Sequence, residues 1–250
     1  MVPHVTVEQM REVDRLMEGD LGITLLQMME NAGRALATQA RSMLGGSAAK
    51  RRVVLLAGRS GNGGGGLAAA RRLAIWGGDV LVVLSEPESA LMPAARHQVA
   101  IVRRIGIPVW DAAHAGLEAA LGTADLVVDA LIGYSLRGAP REPAASLIRA
   151  ANGSRSPVLA LDLPSGLDGD SGQASDPTIR ASATLTLALP KVGLCRPMAR
   201  SWVGDLYLAD ISVPEMVYRR IGISVGPIFA TSDILHLATD ERGEASVRGS

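Results

Sequence analysis

The sequence predicts an α/β protein: a three-layer α/β/α sandwich around a Rossmann-like, mostly parallel sheet. Short apolar runs rich in Val, Leu and Ala recur at residues 53–57, 80–84, 126–131, 158–161 and 183–189, and each has the length and composition of a buried strand. Between them lie alanine-, leucine- and arginine-rich stretches of helical period, at 67–76, 91–105, 115–121 and 144–151. Strands that alternate with helices in this way build a parallel sheet covered on both faces. A length of 250 residues, 48% of them hydrophobic and 20% charged, suits one large globular domain.

Taken in order, residues 6–17 and 21–44 precede the first strand and are helical in pattern, and Thr6 followed by Gln9 predicts a capping box. These helices are expected to pack across the sheet or its edge. The first strand runs into a glycine-rich segment that opens the helix at 67–76. Residues 205–209 add a late strand. From 239 onward the chain is polar and short of apolar anchors, so the reading is one domain over 1–238 and a mobile tail over 239–250.

Composition removes several functional classes. Lys plus Arg number 25 and Asp plus Glu number 25, so no long-range field draws in nucleic acid or an anionic membrane. Cys195 is the lone cysteine, which excludes an intrachain disulfide and points to a reducing, cytoplasmic setting. His4, His97, His114 and His236 lie far apart and lack zinc-site spacing. No stretch approaches the ~18 apolar residues of a membrane helix, and the N-terminus carries no export signal.

The segment Gly58-Arg59-Ser60-Gly61-Asn62-Gly63-Gly64-Gly65-Gly66-Leu67 follows the first strand at the carboxyl edge of the expected sheet. Glycines there let backbone approach an anion, and the N–H groups and dipole of the following helix stabilise phosphate. A flexible turn alone would not need so many glycines. No lysine followed by Ser or Thr closes the run, which excludes a Walker A loop. Gly61, Gly63 and Gly66 satisfy G-x-G-x-x-G, with Glu86 after the second strand, so an NAD-dependent dehydrogenase is an alternative; the turn after Ala57 is longer than that fingerprint expects.

Two further strand ends carry acid. Asp129 sits inside an apolar run, where a carboxylate must be paired, metal-bound, hydrogen-bonded to loop amides or kept for chemistry. The next strand ends in Asp162-Leu163-Pro164-Ser165-Gly166-Leu167-Asp168. Three adjacent loops are thus expected to converge on one rim.

These motifs resemble the YjeF N-terminal domain family, the NAD(P)H-hydrate epimerases, over residues 7–214. Residues 10–14 with Met29-Glu30-Asn31-Ala32-Gly33 look like the family's opening helices, and Asn62-Gly63-Gly64-Gly65-Gly66-Leu67 is similar to its Asn-Asn-Gly-Gly-Asp-Gly-Leu motif. Asp129-Ala130-Leu131-Ile132-Gly133, Asp162-Leu163-Pro164-Ser165-Gly166 and Pro190-Lys191 resemble its Asp-Ala-Leu-Phe-Gly, Asp-Ile-Pro-Ser-Gly and Pro-Lys elements. Gly61 stands where the family has its first asparagine and Gly65 where it has aspartate.

The resemblance implies a protein that interconverts the R and S epimers of NADHX and NADPHX. Their hydrated carbon bears a hydroxyl and the ring nitrogen, so loss of hydroxide gives an iminium open to water on either face. That path needs an acid, for which Asp129 is the first candidate and Lys191 the second. The resemblance further implies a potassium ion on Asn62, Asp129 and Ser165. It implies dinucleotide binding by Gly61, Asn62, Gly63, Gly64 and Gly65, by Gly133, Tyr134, Ser135, Leu136, Arg137, Gly138 and Ala139, and by Asp162. A homodimer stays open, as does a noncatalytic dinucleotide-binding module that kept the pocket without the chemistry.

Overall fold

Thr6 and Thr24 start the first two helices in the same way. In the computed structural model, which describes residues 1–248, each threonine side chain accepts from the backbone N–H three residues on. The glutamine there, Gln9 or Gln27, returns a bond to the threonine N–H, satisfying donors that the first turn would otherwise orphan. The helices are α1 (Val7–Gly19) and α2 (Leu25–Met43). The alternation that follows is β1 (Arg52–Ala57), α3 (Gly61–Ile75), β2 (Asp79–Leu84), α4 (Pro93–Arg104), β3 (Val109–Asp111), α5 (Leu117–Gly122), β4 (Leu126–Ala130), α6 (Ala144–Gly153), β5 (Val158–Leu161) and β6 (Ala183–Leu187). The chain closes with α7 (Arg200–Val203), β7 (Asp205–Ala209), α8 (Glu215–Arg220), β8 (Ile234–Thr239) and β9 (Ala245–Val247).

Among the described residues these strands form one sheet in the order β3-β2-β1-β4-β5-β6-β7-β8-β9, parallel through β7 and antiparallel beyond it. The period-two alternation of side chains divides the core between two faces. Val53, Leu55, Leu126, Val128, Leu159 and Leu161 join Leu36 of α2, Leu67 of α3 and Val99 of α4 on one face. Val54, Leu56, Val127, Val158 and Ala160 meet α5 and α6 on the other. The expected three layers are present. A separate cluster carries α1, α8 and the late strands, placing α1 over the sheet's second half. Among the described residues, no helix is long and apolar enough to cross a membrane.

Three boundaries differ from the sequence reading. The glycine run is not a loop ahead of residue 67: α3 begins at Gly61, and none of the glycines from 61 to 66 has positive φ. Their small size serves close approach. A Cβ on Gly63 would stand 2.0 Å from the Gly58 carbonyl oxygen, one on Gly66 2.5 Å from the Ala130 Cβ, and one on Gly33 of the facing helix 2.5 Å from the Ala68 Cβ. The strand read as 183–189 stops at Leu187, because Ala188 turns the chain with φ 65.

The tail read as mobile from 239 instead pairs Ala245–Val247 with β8, and the Val2 N–H donates to the Ala245 carbonyl at 2.8 Å. Its anchor is the buried Ala245, a single small residue that no periodicity would reveal. Residues 249–250 of that tail lie outside the described residues.

Candidate active site

The strand order reverses direction between β1 and β4, and in open α/β sheets the crevice beyond the carboxyl ends at such a point is where ligands sit. A cavity of about 570 Å³ opens there. Its walls come from α1 and α2, from Ser60, Gly61, Asn62 and Gly65 at the start of α3, from Gly133, Tyr134 and Ser135 after β4, and from Asp162 and Lys191 after β5 and β6. Met10, Met28, Met29 and Met92 give it a deformable apolar side.

Asp162 and Lys191 form an ion pair in this wall, with only 6% and 1% of their side chains exposed. Both are held by their backbones. Asp162 takes the left-handed conformation, φ 69, that Asp tolerates better than most residues, and its N–H donates to the Leu185 carbonyl at 2.8 Å. Its carboxylate also accepts from the Leu187 N–H and the Thr186 hydroxyl, each at 3.3 Å. Lys191 is clamped by the N-terminal arm: the Val5 N–H donates to the Pro190 carbonyl and the Val192 N–H to the Val5 carbonyl, both at 2.9 Å. The ammonium donates to Asp162 and, at 3.1 Å, to the Leu187 carbonyl. An ammonium has three donors, so one is left for a ligand.

Asp129 occupies the other face of β4. Val128 and Ala130 point toward α2 and α3, so its side chain points away from the cavity and is fully buried. It accepts from the Ser165 N–H at 2.8 Å, the Ser165 hydroxyl at 2.6 Å and the Leu131 N–H at 3.1 Å. Burial pushes its carboxyl up from 3.8 to about 6, and those hydrogen bonds oppose the rise only in part. Nearby, the Asn62 amide nitrogen is buried with no hydrogen-bond partner, and its side chain lies beside Gly133.

A model of the family described as "YjeF-related protein N-terminus" matches residues 25–193. The chain belongs to that family. It is 43% identical over 219 residues to a protein of Dehalogenimonas lykanthroporepellens named NAD(P)H-hydrate epimerase, covering 88% of this chain and 86% of that one. It is 32% identical over 222 residues to a protein of the same name from Rhodopirellula baltica, covering 89% of each. The solved structure of the yeast protein ynu0, YNL200c, matches with a TM-score of 0.80 at 25% identity, covering 94% of this chain and 100% of that one.

Against these YjeF-family motifs, the cavity gathers Gly61, Asn62, Gly65, Gly133, Tyr134, Ser135, Asp162 and Lys191 of the residues singled out from sequence. Gly63 and Gly64 are buried inside α3, and Leu136, Arg137, Gly138 and Ala139 do not line the cavity. Neither does Asp129, the first acid candidate, because strand alternation turns it to the α5–α6 face. Glu86 of the dehydrogenase alternative is also absent from the wall. Sequence reasoning passed over Asp14 as a site residue. It lies on α1 in the cavity wall and accepts a hydrogen bond from the Tyr134 hydroxyl. Its only sequence signal is a carboxylate one residue from the apolar stripe that includes Met10, Val13 and Met17.

Proposed function

We propose that this protein is an NAD(P)H-hydrate epimerase. The observation that carries the reading is the buried Asp162–Lys191 pair in the wall of a cavity that also contains the start of a glycine-rich helix. Family membership and the names of the two relatives support it. The first turn of α3 has no side-chain cap, which leaves its N–H groups and dipole for the pyrophosphate of a dinucleotide. The methionine wall suits the flat faces of the nicotinamide-derived ring.

The chemistry needs a proton for the departing hydroxyl and negative charge near the cation that forms. The free N–H of Lys191 supplies the proton as the C–O bond breaks and its electron pair leaves with oxygen. The ring nitrogen then shares its lone pair with that carbon, and the Asp162 carboxylate stabilises the resulting iminium. Water adds to either face and loses its proton. The role first assigned to Asp129 passes to this pair, because the Asp129 oxygens are buried and already bonded.

Asn62, Asp129 and Ser165 fit the potassium ion that the family resemblance implies. A fully buried carboxylate with no cationic partner among its hydrogen bonds, a serine hydroxyl on it and an unpartnered buried amide are a hard-oxygen set once the amide is turned over. When bound, the ion supplies positive charge against Asp129. A lone cysteine, which can form no intrachain disulfide, accords with a cytoplasmic setting.

The test is purified protein added to separated epimers of NADPHX, with their interconversion followed by chromatography that resolves the two. Interconversion well above the spontaneous rate supports the proposal. Dinucleotide binding with no rate above background would leave a noncatalytic binding module.

A further inference from the structure

The cavity contains a second set of proton-carrying groups that the reaction as derived above leaves unused. Asp14 of α1 is half-buried, and the Tyr134 hydroxyl donates to its carboxylate. The Tyr134 ring also neighbours the lysine, its centroid 5.8 Å from the Lys191 Nζ. One cavity therefore presents two proton-carrying sites from different elements: Lys191 with Asp162 beyond β6 and β5, and Asp14 with Tyr134 on α1 and the loop after β4.

An epimerisation through an iminium has two proton transfers on two faces of a flat ring. One group on one side can serve the departing hydroxyl, but water adding to the other face needs its own acceptor. We infer that Asp14 is the second acid–base group of the epimerase, handling the oxygen on one face of the ring while Lys191 handles the oxygen on the other. The inference rests on the epimerase reading.

In the direction that starts at Lys191, its proton goes to the leaving oxygen as the C–O bond breaks. A water then adds to the iminium carbon and gives its proton to the Asp14 carboxylate. In the reverse direction protonated Asp14 supplies the leaving oxygen and the lysine amine takes the proton from water. Solvent resets both groups between turnovers.

The surroundings of Asp14 support this use. Burial pushes its carboxyl above the usual carboxylate range, against the Tyr134 hydrogen bond and the Lys191 charge, while Asp162 and Glu18 push it further in the same direction as burial. Arg11 and Arg15 of α1 line the same cavity, and the Asp14 charge also reaches Tyr218 of α8. A carboxyl held up in this way keeps a proton closer to neutrality, as a general acid must. The Tyr134 hydroxyl, itself pushed up by burial and by Asp14, stays protonated and orients the carboxylate.

The experiment places each separated epimer of NADPHX in H₂¹⁸O with wild-type protein and with Asp14→Asn. Epimerisation is read by chromatography and label at the hydrated carbon by mass. Wild type should epimerise each substrate and incorporate label into the product. Asp14→Asn should lose epimerisation by roughly 10²- to 10⁴-fold. It should still exchange label into one epimer without inverting it, because Lys191 can expel and readmit oxygen on its own face.

A merely structural role for Asp14 would lower exchange and inversion together, and that result overturns the inference, as does unchanged epimerisation by the variant. Tyr134→Phe, which keeps the ring and removes the donor to Asp14, should show the same separation of exchange from inversion in milder form. It decides the matter if Asp14→Asn does not fold. A wild-type protein with no epimerisation above background overturns the epimerase reading and this one with it, whereas active wild type with a fully active Asp14→Asn overturns this one alone.

Discussion

Removing Lys191 tests whether the Asp162–Lys191 pair is buried as described. In Lys191→Met the volume is nearly kept, but the Asp162 carboxylate, whose side chain is 6% exposed, is left accepting two long hydrogen bonds of 3.3 Å, donated by the Leu187 N–H and the Thr186 hydroxyl. Breaking a buried pair from one side costs about 3–5 kcal/mol, because an uncompensated charge stays behind. Stabilities of folded domains are of the order of 5–15 kcal/mol, so the variant should fold with a sharply reduced margin. At roughly 2–4 °C per kcal/mol for a chain of this size, Tm should fall by about 6–20 °C. Adding Asp162→Asn removes the orphaned charge and should restore most of the loss. Urea unfolding of wild type, both single variants and the double variant gives the coupling directly. A Lys191→Met protein within about 1 kcal/mol of wild type, or a double variant no more stable than the single, would show that Asp162 and Lys191 are not a buried ion pair.

Further outcomes follow from the glycines and from Asp129. Gly63→Ala places a Cβ 2.0 Å from a backbone oxygen and should cost at least ~1–3 kcal/mol, whereas Gly61→Ala, whose nearest neighbour would be 3.8 Å away, should be neutral or gain up to about 1 kcal/mol of helix propensity; thermal melts of both check the contrast. Asp129, raised from 3.8 to about 6, stabilises the fold fully only below pH 3.8 and loses that contribution as pH rises through about 6, a swing of ~3 kcal/mol. In potassium-free buffer, the stability of wild type relative to Asp129→Asn should fall across that window, and potassium, but not tetramethylammonium, should return part of the loss at pH 7. A Cβ at Gly65 would sit 3.2 Å from the Leu161 Cδ2, a flexible contact. Gly65→Asp should therefore fold and raise kcat/KM by roughly tenfold or more if a charge-assisted hydrogen bond of ~1.5–3 kcal/mol is restored; equal kinetics would show that Gly65 is a neutral variation.

The parallel sheet was legible because β1, β2, β4 and β5 are apolar on both faces and separated by stretches of helical period. Thr6 with Gln9 likewise announced its helix, since a capping box is a local device. What stayed hidden depends on contacts distant in sequence. The glycines of α3 look like loop residues until Gly58, Ala130 and Gly33 are seen packed against them. Asp129 and Asp162 read alike, as acids at strand ends. Their roles separate only through side-chain alternation in one case and the left-handed turn in the other. The β8–β9 hairpin is bridged at Ala245 by Val2, 243 positions earlier in the chain, and Lys191 is clamped by Val5.

The Asp162–Lys191 pair in this cavity is proposed to invert a hydrated nicotinamide carbon. The most direct measurement is the initial rate of conversion of pure (R)-NADPHX to the S epimer by wild type, Lys191→Met and the double variant Lys191→Met with Asp162→Asn, at concentrations where NADP⁺ binding shows all three folded. Conversion by wild type should run far above the spontaneous rate, with a loss of roughly 10²-fold or more in both variants, including the one whose stability is restored. Full conversion by the double variant would contradict it.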